Sequence, residues 1–178
     1  MLSTLINSCS RYTLVVVDMQ PGFKASLDAD TLMGVLDEIR AAMAARMPII
    51  VLQACAEICG NTLDAVINLL RTYDLNLWVV QDKIRRYGRD FSGSDGSFEV
   101  MEAVEILEFP SDRFRLCGVN SDVCVFLTAM VLNKELPDAR IEIVKRACNT
   151  QWVEKDKQWD SWAGYERWHD WHGATLID

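Results

Sequence analysis

The chain predicts an α/β protein: a single domain built on a doubly wound parallel sheet of six strands, order 3-2-1-4-5-6, with helices on both faces. Three observations predict it. Short, unbroken apolar runs recur along the sequence, as expected of strands buried on both sides of a parallel sheet. Amphipathic stretches at helical spacing separate them. The chain has 178 residues, 50% of them hydrophobic, enough for one sizeable core and too few for two ordinary domains, so residues 1–178 are read as one unit.

The first run, 12–17, is rich in valine and ends at Asp18. A loop through Pro21, Gly22 and Phe23 follows. The stretch 28–46 then sets Leu32, Val35, Leu36, Ile39 and Met43 on one side, with Asp28 or Asp30 as its cap. Residues 48–52 form the second strand, 62–70 return to helical spacing, and 77–80 form a third strand that ends before Lys83. The polar, glycine-containing stretch 85–96 reads as a functional loop, one wall of a pocket. A helix over 97–107 leads to the fourth strand at 114–117. The fifth strand falls at 140–144 and the sixth at 174–177, after a helix around 158–169.

The stretch from Leu116 to Ala129 has the form of a strand, a tight turn and a helix, with Gly118 free to take an unusual backbone conformation and Ser121 or Asp122 able to cap. Cys124 falls in the first turn of that helix. Moving a thiol from about 8.5 to about 7 requires about 2 kcal/mol. A helix terminus gives about 0.3–1 kcal/mol, so a cation such as Lys83 is expected to supply the remainder and favour the thiolate. Asp18 is expected to act as proton acceptor. In this strand order the first and fourth strands are neighbours, so Asp18, Lys83 and Cys124 open onto one end of the sheet.

A net charge of −8 argues against a nucleic-acid backbone or an anionic membrane as partner and leaves a small molecule. The first residues show no basic segment followed by an apolar run, and no apolar stretch approaches spanning length, so a cytosolic location is expected. The six cysteines do not have the spacing of a disulfide framework. Cys55 and Cys59 lack a second pair or a nearby histidine to complete a metal site, and packing is their expected role; no cofactor is expected. Trp159, Trp162, Tyr165 and His169 fall at helical spacing near the carboxyl end, where core packing is the first expectation and a subunit interface or lid the second.

The ordered set Leu14-Val15-Val16-Val17-Asp18-Met19-Gln20 with Phe23, Lys83 before a loop containing serine and phenylalanine, and Gly118-Val119-Asn120-Ser121-Asp122-Val123-Cys124-Val125 resembles the isochorismatase-like cysteine hydrolases, which include nicotinamidases and N-carbamoylsarcosine amidases. The resemblance runs from the first strand to the fifth. It implies an Asp18–Lys83–Cys124 triad in which Asp18 takes the thiol proton, Lys83 holds the pair and the thiolate attacks an amide carbonyl. It also implies a cis peptide at Val119–Asn120, an oxyanion hole from the backbone N–H groups of Asn120 and Cys124, and a homo-oligomer. Arg85 or Arg86 takes the place of Lys83 if the third strand ends later. Phe23 and Tyr87 are candidates for the apolar floor of a substrate pocket, or simply pack under their loops. Where nicotinamidases of this family carry metal-binding histidines, this chain has the stretch from Gln53 to Cys59, and Arg146 replaces a frequent aspartate. The function expected is cysteine-dependent hydrolysis of a C–N bond in a small amide, carbamoyl or ureido compound. The alternatives are a nicotinamidase with a metal-free pocket and a non-catalytic binding or assembly protein on the same scaffold.

Overall fold

The structure is a computed structural model and describes residues 11–83, 95–109, 111–152, 154, 157–159 and 173–178. Its six strands are β1 (Thr13–Val17), β2 (Ile49–Gln53), β3 (Trp78–Asp82), β4 (Arg113–Val119), β5 (Arg140–Asn149) and β6 (Thr175–Ile177). They form one sheet, all neighbours parallel, in the order β3-β2-β1-β4-β5-β6. The fold is the one expected. β1 is buried along its whole length, which is why it carries no polar alternation.

Around the sheet lie α1 (Ala29–Ala44), α2 (Ala56–Cys59), α3 (Asp64–Leu70), α4 (Ser97–Ile106) and α5 (Phe126–Glu135). Helix α1 begins where a cap was expected: Asp28 Oδ1 accepts the Thr31 N–H at 2.9 Å and its hydroxyl at 2.7 Å. It packs over β1, β4 and β5, burying Val35 and Ile39. Gly34 permits the close approach, since a Cβ there would meet the Arg146 carbonyl oxygen at 2.7 Å. Glu38, also buried, ties the helix to the sheet through Arg115 at 3.3 Å and Arg146 at 2.7 Å. Helix α4 lies against β2 and β3, with α5 beside it.

Three readings are corrected. The fifth strand is twice the expected length, because β5 resumes pairing beyond an irregularity opposite Leu116–Gly118 and carries on to Asn149. Cys124 does not sit in the first turn of an α-helix; it lies in a five-residue π-helical turn, Ser121–Val125, and α5 starts only at Phe126. Neither Ser121 nor Asp122 is given over to capping: the Ser121 hydroxyl donates to Gln158 Oε1 at 2.7 Å, and Asp122 accepts from Thr150. Longer-range partners claimed both side chains. Most of the helix expected around 158–169 lies outside the described residues, as do residues 85–94 of the loop expected over 85–96. Trp159 is partly buried against the core and Trp152 is exposed. Among the described residues no helix is long and apolar enough to cross a membrane.

Candidate active site

The carboxyl ends of β3, β2, β1 and β4 are in register. Val17 of β1 pairs with Leu52 of β2 and Gly118 of β4, and Leu52 pairs with Gln81 of β3. The residues just past those ends therefore share one edge. Asp18 turns out of β1 with φ +50°, a backbone conformation that aspartate tolerates better than most residues. Lys83 follows β3 and continues its pairing, donating its N–H to the Gln53 carbonyl at 2.8 Å. Gly118 takes φ +116°, and a Cβ there would lie 2.1 Å from the Val17 carbonyl oxygen. Only glycine lets β4 come this close to β1 one residue before Asp18.

The side chains converge. The Lys83 ammonium is ion-paired to Asp18 Oδ2, both side chains fully enclosed, and the buried Cys124 thiol lies close enough to feel the charge of both. The Asn120 backbone favours the thiolate, opposing burial. The Val119–Asn120 peptide bond is cis. Lys83 reaches inward beneath the start of α4, where a Cβ on Gly96 would meet the lysine Cδ at 3.1 Å.

The thiol's ionisation differs from the expected one. Burial, then the charge of Asp18, pushes Cys124 up to about 12, and the opposing pull of Lys83 does not overcome them. Burial thus favours the neutral thiol over the thiolate. Burial also raises Asp18 above the ordinary carboxylate value, against the opposing charge of Lys83. For Lys83, desolvation works to lower its value, yet the charges of Asp18 and Cys124 prevail and raise it, so the ammonium is retained. The arrangement is a carboxylate made more basic by burial, fixed by a permanent cation, with a thiol proton beside it.

Phe23 is partly buried against the core at the head of the turn Lys24–Leu27. Tyr87, Arg85 and Arg86 lie outside the described residues; among the described residues Lys83 is the cation at Asp18. Sequence reasoning missed Gln20 as a fastener: its Oε1 accepts the Ala54 N–H at 2.7 Å and its Nε2 donates to the carbonyls of Ala54, at 3.0 Å, and Gly60. That clamps the β2–α2 connection beside Asp18. Its place two residues after Asp18 was the available signal. Cys59 lies near enough for the charge of Asp18 to add to the upward shift that burial gives its thiol. Among the described residues no group of three or more histidine, cysteine, aspartate or glutamate side chains is placed to hold a metal ion.

No protein-family model and no curated protein matches the sequence. Solved structures do match. The nicotinamidase of Staphylococcus aureus aligns with TM-score 0.70 and 16% identity over 94% of this chain and 99% of its own. The N-carbamoylsarcosine amidase of Thermoplasma acidophilum aligns with TM-score 0.63 and 16% identity over 94% and 95%. The MAR1 ribonuclease of Caenorhabditis elegans aligns with TM-score 0.61 and 17% identity over 83% of this chain and 71% of its own. This chain therefore has the fold of that nicotinamidase and that N-carbamoylsarcosine amidase. A ribonuclease on the same scaffold shows that fold alone does not choose the substrate.

Proposed function

We propose that the chain belongs to the isochorismatase-like family and is a cysteine-dependent amidohydrolase that cleaves a C–N bond in a small amide, carbamoyl or ureido compound. The observation that carries this reading is the enclosed Asp18–Lys83 ion pair at the carboxyl edge of the sheet, with the buried Cys124 thiol within reach of both charges. The fold shared with a nicotinamidase and an N-carbamoylsarcosine amidase supports amide chemistry there.

In the first step the Cys124 S–H proton passes to the Asp18 carboxylate as the sulfur bonds to the substrate carbonyl carbon, whose oxygen becomes negative. The backbone N–H groups of Asn120 and Cys124 stabilise that oxygen. As the tetrahedral species collapses, the C–N bond breaks, Asp18 returns the proton to the leaving nitrogen, and a thioester remains. Water then gives a proton to Asp18 and attacks the thioester; the C–S bond breaks, the sulfur recovers its proton and the acid leaves. Lys83 stays charged throughout and keeps the carboxylate in place. Phe23 and Tyr87 serve as apolar contacts for the substrate, and no cofactor takes part. The working enzyme is a cytosolic homo-oligomer.

An ammonia-detecting screen over small primary amides, carbamoyl compounds and ureides, with nicotinamide as one arm, tests the reading. Ammonia released from a non-pyridine amide or ureide supports it. Release from nicotinamide alone selects the second reading, a metal-free nicotinamidase, which the Staphylococcus aureus structural likeness favours. No release from any member, with reversible binding of one of them, selects a binding protein.

A further inference from the structure

The turn that carries Cys124 is fastened by groups that no chemical step uses. Asp122 is fully buried two residues before the thiol, and its Oδ1 accepts the hydroxyl of Thr150, the first residue after β5. Its Oδ2 has no hydrogen-bond partner among the described residues. Thr150 Oγ1 in turn accepts the Trp152 N–H at 3.2 Å, and the Thr150 N–H is held by Asn149 Oδ1 at 2.8 Å. Next to it, Gln151 donates its N–H to Asn120 Oδ1 at 3.2 Å and accepts the Lys24 N–H at 2.9 Å. A chain of hydrogen bonds thus joins the nucleophile's turn, the segment after β5 and the loop that begins at Asp18.

Stability alone gives no reason for this arrangement. A buried carboxyl with one open oxygen is costly, and well-packed apolar side chains of similar size often hold a turn as firmly. What a hydrogen bond adds is direction. We propose that Asp122 and Thr150 are positioning residues: their hydrogen bond sets the turn so that the Asn120 amide and the Cys124 sulfur face the same carbonyl group. The inference rests on the reading of Cys124 as nucleophile.

The test measures the rate at which iodoacetamide, a small carboxamide electrophile, labels Cys124 in the full chain, with peptide mass spectrometry separating it from the other thiols. Thr150→Val keeps the shape and removes the donor, and Thr150→Ser keeps the donor. Labelling of Cys124 should fall about 10- to 100-fold in Thr150→Val, the scale of a misplacement near 1 Å, and stay within about threefold of wild type in Thr150→Ser, at a temperature where both are folded by circular dichroism. With the amide found by the screen, kcat should fall and KM hold. Should Thr150→Val not fold, Thr150→Ala replaces it, since serine and alanine differ by the hydroxyl alone. Equal rates with and without the hydroxyl, or loss of fold in both variants that lack it, would overturn the positioning role. If Cys124→Ala hydrolyses the amide found by the screen as fast as the wild type, the nucleophile reading itself fails, which is a separate result.

Discussion

Asp18 illustrates how burial and charge divide the work at a single residue. Desolvation makes its carboxylate a stronger base than an exposed one, while Lys83 keeps it ionised. The pH dependence follows with its sign. On the proposed mechanism Asp18 acts as carboxylate, so kcat/KM should be lost as pH falls through a value raised above 3.8. The same mechanism needs Lys83 as ammonium, so the alkaline loss should begin beyond 10.5. Between them the profile should be flat, because the thiol titrates near 12 and its proton leaves through Asp18. A kcat/KM that climbs steadily across neutral pH would mean that free thiolate is the reactive form. The meeting of Asp18 and Lys83 was legible because each follows the end of a strand in one parallel sheet. The ionisation of Cys124 was not, since burial of one sulfur depends on how distant segments pack. Thr150 was equally hidden: a hydrogen bond reaching back 28 positions leaves no periodic mark.

At the scale of elements, strand ends decide where the chemistry can be. β1 and β4 stop side by side, and the close approach at Gly118 places the turn with Cys124 against Asp18. Gly118→Ala should therefore destabilise the fold by about 3 kcal/mol or more, since it adds a forbidden contact to an unfavourable backbone conformation. Chemical denaturation measures this directly, and an alanine variant as stable as wild type would show that β4 has room to move. Strand positions were legible from continuous apolar runs, to within a residue or two for β1, β2 and β3. The extra length of β5 was not, because it includes Lys145 and Arg146, charged residues that break an apolar pattern. The π-helical turn was likewise invisible, as its sequence satisfies an α-helix equally well.

For the whole molecule, alternation of strand and helix was sufficient to order the sheet, since right-handed crossovers leave few ways to wind such a chain. What alternation cannot convey is the polar fastening within the layers, such as the pairing of Glu38 with Arg115 and Arg146, which reads in the sequence as a solvated face. The scaffold sets an edge where residues from separate strands meet, and the substrate is a matter of what lines it. The claim that ties these scales together is that one sulfur and one carboxylate react as a unit. Once the screen has supplied an amide, its most direct test is turnover of that amide by Cys124→Ala, Asp18→Asn and the double variant, each confirmed as folded. Each single change should lower kcat by about 10³-fold or more, and the double should be no worse than either alone, as for groups that act together. Full hydrolysis by Cys124→Ala would contradict it.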